Sequence, residues 1–273
     1  MFDALFTTTT EYKKLSHALS GKGACALFGL PASGRAQVYA ALCRQLDKPL
    51  CIVTPGEAEA TRFAADLNTL GIPAAVFPAR DYVLRPIEGT AREYEYRRLA
   101  VLGELVGGRL RAVAVPAEAL TQFTTPKEDF CANTRTLHAG DTLLRDDLLA
   151  ALFGAGYTRR AQVDGPGQFS VRGDIVDIFA PDQKMPVRME FWGDEIDTLH
   201  TFDLTTQRRE DAIDKFYLSP AREVLFGKPA DAAEQLRAFL AKQRGKKKTA
   251  MADCMAADLD LRSEERRVGK ECL

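Results

Sequence analysis

Gly29 and Gly34 enclose Leu30-Pro31-Ala32-Ser33 with the spacing of a phosphate-binding loop, G-x-x-x-x-G-K-[ST]. In such a loop the lysine reaches the outer phosphates and the hydroxyl holds Mg²⁺. Here Arg35 stands in the lysine position and Ala36 in the hydroxyl position. The context is otherwise that of the motif, with a short apolar strand expected at Ala24–Leu30 before the loop and a helix at Ala36–Leu46 after it. Two readings of the remaining loop stay open: the helix dipole and Arg35 hold an anion, or the glycines only turn the chain. Either way Gly29, Gly34, Arg35 and Ala36 form a degenerate nucleotide site, with no catalytic residue and no cofactor assigned to it.

A second group of residues suits recognition. Val187, Met189 and Phe191 alternate with Arg188, Glu190 and Trp192, so a period of two sends the first set to one face of a strand and the second to the other. Gly193-Asp194 breaks the run as a two-residue turn, and Glu195–Phe202 returns antiparallel. Upstream, Phe169 and Val171 alternate with Ser170 and Arg172 until Gly173-Asp174, after which Ile175–Phe179 is a short apolar strand. Arg172, Arg188 and Trp192 are therefore expected on one exposed surface. An exposed tryptophan beside arginines has the composition of an interface hot spot. The alternative packs Trp192 under a helix at Leu143–Phe153. Asp174, Asp177, Glu190, Asp194 and Glu195 lie beside these arginines and are read as ion pairs on a sheet, not as a metal site or an acid–base pair. His200, alone in a strand, is read as structural.

These groups need two different frames. Strand and helix alternate through Pro49–Thr54, Glu57–Leu70, Ala74–Phe77, Ala91–Val106 and Arg111–Val115, which predicts an open parallel α/β sheet of the RecA-like kind carrying the degenerate loop. On the helix after Thr90, Arg92, Glu93, Glu95, Arg97 and Arg98 are expected outward, with Tyr94, Leu99, Val101, Leu102 and Leu105 inward. The strand ending at Val115 runs into Pro116-Ala117-Glu118, without the acids that complete an ATPase. A polar break at Thr124–Asp129 ends the rhythm, and an inserted α+β partner-binding domain follows. The boundaries are 1–126 for the first domain, 127–219 for the second, and 220–261 for a returning segment in which Ala221–Phe226 rejoins the first sheet and Asp231–Gln243 is a helix. Lys246-Lys247-Lys248 is a solvated loop.

Composition limits the function classes. The 273 residues are 46% hydrophobic and 27% charged, with a formal charge of −1. A dedicated duplex-binding domain usually carries a basic stripe, so nucleic acid is not the expected main partner. The six cysteines include no C-x-x-C pair, and the three histidines are scattered, so free thiols and no structural zinc are expected. No signal peptide or membrane span is read at Met1–Thr10 or elsewhere, which suits the cytoplasm. Arg262–Cys272, RSEERRVGKEC, reads as translated adapter sequence, and 262–273 is excluded from fold reasoning.

The run Gln168-Phe169-Ser170-Val171-Arg172-Gly173-Asp174-Ile175-Val176-Asp177-Ile178-Phe179, with Val187–Ile196 and Phe202-Asp203, resembles the partner-binding domain of bacterial transcription-repair coupling factors. That domain is itself similar to domain 2 of the excinuclease protein UvrB, and the resemblance extends more loosely to about Asp260. Two departures separate the families. Excinuclease UvrB keeps G-x-x-x-x-G-K-T where this chain has Arg35 and Ala36, and it carries a tyrosine-rich insert where this chain has only Phe77–Gly89. The resemblance implies a repair-recruitment module that binds the excinuclease protein UvrA through positions matching Arg172, Arg188 and Trp192, the last often phenylalanine in the family. It also implies a longer protein, an ATP-dependent DNA translocase that displaces stalled RNA polymerase. RNA polymerase, duplex DNA, ATP and Mg²⁺ would then belong to domains absent here. The alternative is a fragment of a UvrB-like excinuclease ATPase.

With both chemical residues of the loop replaced, the purified protein should release no phosphate from ATP above background. Turnover that disappears on Gly34→Val would restore an active loop.

Overall fold

The structure, a computed structural model, describes residues 7–21, 24–46, 48–80 and 92–225, with 234, 237 and 238. Expectations for 81–89, for Lys246–Lys248, for most of 226–261 and for the tail from Arg262 lie outside the described residues. Of the helix expected at Asp231–Gln243, Glu234, Arg237 and Ala238 are described and helical. The chain divides into two compact units at Lys127/Glu128, and the short loop Pro181–Lys184 groups with the first.

In the first unit, α1 (Thr10–Ser20) begins where the Thr9 hydroxyl accepts a hydrogen bond from the Tyr12 N–H at 3.3 Å. There follow α2 (Ala32–Gln45), β1 (Leu50–Thr54), α3 (Glu57–Thr69), β2 (Ala74–Val76), α4 (Glu93–Val106), β3 (Ala112–Pro116) and the single turn α5 (Ala117–Leu120). The strands form a three-stranded parallel sheet in the order β1-β3-β2. All five residues of β3 are buried, as a central parallel strand covered on both faces requires. Ile52 and Ala112 pack with Phe63 and Leu67 of α3, while Val113 and Val115 pack with Val101 of α4 and Ala119 of α5.

Three sequence expectations fail here, each for a physical reason. Ala24–Leu30 is not a strand: Leu27 is 47% and Phe28 89% exposed. An apolar run becomes a strand only where neighbours take its backbone groups, and no described strand pairs it. Among the described residues the parallel sheet has three strands, so the larger phosphate-loop sheet is not seen there. Residues 221–225, the described part of the expected returning strand, are irregular, and the Ala221 N–H donates to Ala155 O at 2.8 Å within the second unit. Arg98, expected outward, is fully buried, whereas Tyr94 is 42% exposed. Arg98 lies three residues before Val101 and seven before Leu105, so the helical period puts it in the apolar stripe and overrides its charge. Its guanidinium stacks 4.0 Å from the Phe77 ring centroid and donates to Pro78 O at 2.7 Å.

The second unit is mixed α/β. It contains α6 (Lys127–Ala132), β4 (Arg135–His138), α7 (Arg145–Gly154), β5 (Thr158–Arg159), β6 (Gln168–Arg172), β7 (Ile175–Phe179), β8 (Val187–Trp192), β9 (Glu195–Phe202), β10 (Arg209–Ala212) and β11 (Lys215–Leu218). β5 is only two residues long. Six strands form one sheet in the order β10-β9-β8-β7-β6-β5, antiparallel except for β5 with β6, and β11 pairs with β4. Phe169, Val176, Ile178, Val187, Met189 and Leu199 project from one sheet face onto Leu148, Leu149 and Leu152 of α7. Ile196 and Leu199 are three residues apart and both buried, which a regular period of two forbids. A bulge resolves this, because Glu190 pairs with Thr198 while Phe191 pairs with Ile196.

Removing the buried guanidinium by Arg98→Ala should cost the first unit about 2–4 kcal/mol, since Pro78 O loses a charged donor and a cavity remains. Urea unfolding measures it. A loss below about 0.5 kcal/mol would put Arg98 among ordinary surface substitutions.

Candidate functional site

The registers of β6 to β9 decide which side chains meet on the sheet face turned away from α7. Ser170 pairs with Asp177, Asp177 with Arg188, and Arg188 with His200, forming one row. Arg172 pairs with Ile175, Ile175 with Glu190, and Glu190 with Thr198, forming the next. Trp192 follows on the same strand and pairs with Glu195 across the Gly193-Asp194 turn. The three residues singled out in the sequence therefore do lie on one face. The two tight turns make this possible: Gly173 and Gly193 take φ of +60° and +63°, a region that side-chain-bearing residues rarely adopt. Both turns lie at the same end of the sheet, because β6 and β8 run in the same direction.

This face is graded from buried to exposed. At the end away from the turns Val163, Phe179 and Phe202 form a small second core with Leu204. Arg188 lies against it with its guanidinium carbon 4.8 Å from the Phe202 ring centroid, and its side chain is only 11% exposed. The expectation that Arg188 is exposed is therefore corrected. The extra residues 203–208 close over this end, and Arg188 donates to Gln207 O at 3.2 Å. Asp203 shapes that loop by accepting from the N–H groups of Thr205 and Thr206, and the Thr206 bond holds its carboxyl pKa below the usual range. At the other end Trp192 is 83% exposed, so it is not packed under α7.

Asp177, 1% exposed, is the hub between them. One carboxylate oxygen accepts from Arg188 Nε at 2.7 Å. The other accepts from Arg188 Nη2 at 3.0 Å, from Arg172 Nη2 at 2.6 Å and from Ser170 Oγ at 3.5 Å. The pKa of Arg188 is raised by its hydrogen bond to Asp177 against the cost of burial, so the pair is ionic. Two guanidiniums on one carboxylate leave one positive charge over, and the Arg172 side chain, 46% exposed, carries it to the surface. Beside it, Glu190 accepts from Arg209 and from Thr198 Oγ1. Sequence reasoning grouped Asp177 and Glu190 correctly as ion-pair partners but gave Asp177 no special part and did not find Arg209. The signal for Asp177 was the turn itself, since a two-residue loop at Gly173-Asp174 puts residue 177 opposite residue 170 and within reach of Arg172.

The degenerate loop has a different geometry from a phosphate cradle. Gly29 takes φ +80°, but α2 starts at Ala32, so only Leu30 and Pro31 separate that glycine from the helix. Gly34, Arg35 and Ala36 sit inside the first turns, and the Arg35 N–H already donates to Pro31 O at 3.0 Å. The Arg35 side chain pairs with Glu59 at 3.5 Å and lies 5.6 Å from the Phe63 ring centroid, and Ala36 is buried. Among the described residues no group of three or more His, Cys, Asp or Glu could hold a metal ion, and no helix is long and apolar enough to cross a membrane.

Asp177→Ala should destabilise the protein by about 3–5 kcal/mol, because it strands the Arg188 charge in the interior. Arg172→Ala, which removes a half-exposed partner, should cost only about 1 kcal/mol or less. Thermal melts of the two variants compare these directly, and equal melting temperatures would deny Asp177 its place as the hub.

Comparison with known proteins shows what the chain is similar to. Residues 136–224 match the UvrB interaction domain family. The chain is 35% identical over 208 residues to the transcription-repair-coupling factor of Myxococcus xanthus, which covers 72% of this chain and 17% of that protein. It is 28% identical over 201 residues to that of Bacillus subtilis (strain 168), covering 73% of this chain and 17% of that protein. It is also 28% identical over 226 residues to UvrABC system protein B of Chlorobium limicola, covering 77% of this chain and 32% of that protein. The chain thus spans about a sixth of the length of the coupling factors it matches. Its six-stranded sheet, its two Gly-Asp turns and the graded face between them all fall within the matched domain, and the chain belongs to the transcription-repair-coupling factor family as an N-terminal module built around a UvrB interaction domain.

Proposed function

We propose that this chain is the repair-recruitment module of its family and that it binds the excinuclease protein UvrA through the turn end of the six-stranded sheet. The observation that carries this is Trp192, 83% exposed on the same face as a half-exposed, firmly paired Arg172. Tryptophan and arginine dominate interface hot spots, where the ring fills an apolar pocket and the guanidinium forks onto a carboxylate. Arg188 belongs to the same network from below. The partner chemistry this surface fits is an apolar pocket flanked by acidic groups.

In the longer proteins of the family we place RNA-polymerase binding, duplex DNA, ATP and Mg²⁺ in segments other than this one, which serve an ATP-dependent translocase that clears stalled polymerase. The first unit then serves as scaffold. The competing proposal, an active ATPase of the UvrB kind, draws on the similarity to UvrABC system protein B. Arg35 engaged by Glu59 and Ala36 buried in the helix count against it.

Trp192→Ala and Arg172→Ala should each weaken binding to purified UvrA by about 2 kcal/mol, roughly thirtyfold. Melting temperatures should hardly move. Calorimetric titration of the two variants beside the unaltered protein measures it, and undiminished affinity in both would remove this face from the interaction.

A further inference from the structure

Arg172 and Arg188 differ in what they can reach. Arg188 has an 11% exposed side chain, gives Nε and Nη2 to Asp177 and Nη1 to Gln207 O, and rests on Phe202. Each of its three nitrogens donates inside the protein. Arg172 gives one amino group to Asp177 at 2.6 Å and leaves its remaining N–H groups on a side chain that is 46% exposed. A free surface arginine loses rotamer freedom when it docks, and a guanidinium already held at one corner has lost part of it beforehand. Asp177 can hold it because Asp177 is itself immobile: it is 1% exposed, lies on a central strand and is gripped by Arg188 from the opposite side.

We infer that Asp177 is a positioning residue for partner recognition: clamped by the buried Arg188, it fixes the Arg172 guanidinium so that the outward N–H groups meet a carboxylate of the partner. Arg188 acts through Asp177 and does not touch the partner. This rests on the proposed contact with UvrA and adds to it an assignment of which arginine does what. It also explains how one buried acid serves two arginines, since the surplus positive charge is directed to the surface and is not left in the sheet.

The test is a double-mutant cycle that keeps the interior satisfied. Asp177→Asn with Arg188→Gln replaces the buried ion pair by a neutral amide pair able to hydrogen-bond across the same two strands. This change is made with Arg172 present and in an Arg172→Ala background, and affinity for purified UvrA is measured in all four proteins. With Arg172 present the amide pair should weaken binding about tenfold; in the Arg172→Ala background it should change affinity less than about twofold, because the residue being positioned is gone. An equal loss in both backgrounds would show that Arg188 or Asp177 contacts the partner itself, and no loss in either would show that Arg172 needs no positioning; both overturn the inference. If the unaltered protein does not bind UvrA at all, the proposed function fails, and a second measurement still tests the positioning. In the free, unaltered protein the side-chain ¹⁵N–¹H spectrum should show a slowly exchanging Arg172 guanidinium with hindered rotation about Nε–Cζ. An Arg172 that averages like the exposed arginines of the same protein would overturn the clamp without reference to any partner, and that readout also decides the matter if the amide pair fails to fold.

Discussion

The second unit depends on a carboxylate that has almost no contact with water. Burying an ionised group costs several kcal/mol after relaxation, and the cost is offset only when close partners with good geometry satisfy it. Asp177 reaches that condition with two arginines from the strands on either side of its own, at 2.6 and 2.7 Å, and with Ser170 beside it. Such an arrangement fixes register. A slip of one residue in β6 or β8 would turn Arg172 or Arg188 to the α7 face, leaving Asp177 unpaired and a guanidinium in the apolar core. The core face enforces the same register independently through Phe169, Val176, Val187 and Met189. The two faces therefore agree, which is what makes one pairing of these strands much better than its neighbours.

From that fixed point the face changes character in one direction. Behind Arg188 the sheet is covered by the 203–208 loop and the Phe179–Phe202 pair, so water is excluded and the charge pair is held tightly. Ahead of it nothing among the described residues covers Trp192. The two Gly-Asp turns end β6 and β8 at that point and leave Arg172 and Trp192 as the last residues before the turns. A rigid, desolvated ion pair on one side and an open aromatic on the other amount to preorganisation, in which the ordering cost of recognition is met during folding.

The sequence made the α+β unit readable because alternation, two Gly-Asp breaks and a helical period are local signals. Registers followed from the turns, and the shared face of Arg172, Arg188 and Trp192 followed from the registers. Exposure did not follow. Whether Arg188 sees water depends on residues 203–208, and whether Arg98 does depends on Phe77 and Pro78, about twenty residues before it. Charge was taken as a sign of solvent contact in both cases, and both arginines instead lie over aromatic rings with their donors satisfied. The strand expected at Ala24–Leu30 failed for the opposite reason. Its composition was right, but a strand is a property of a pair, and the pairing partner is not a local feature of Ala-Cys-Ala-Leu-Phe-Gly-Leu.

The same distinction bears on the glycine loop. Spacing of glycines is a local feature and survives in Gly29 and Gly34, whereas a phosphate cradle needs backbone N–H groups that converge without other partners. With α2 starting at Ala32, the Arg35 N–H is spent on the helix, and its guanidinium is occupied by Glu59 beside the Phe63 ring. An anion entering there would have to compete with Glu59 for the only cation the motif retains, and no hydroxyl at position 36 would bring a metal ion to help it. The first unit thus keeps the outline of a nucleotide site with its remaining cation paired to Glu59. The second unit places two guanidiniums on one carboxylate, so that the surplus positive charge sits on the half-exposed Arg172. Of the two sites the sequence suggested, the second holds its half-exposed guanidinium by the shorter contact, 2.6 Å against 3.5 Å, and sets it on the same face as an open tryptophan.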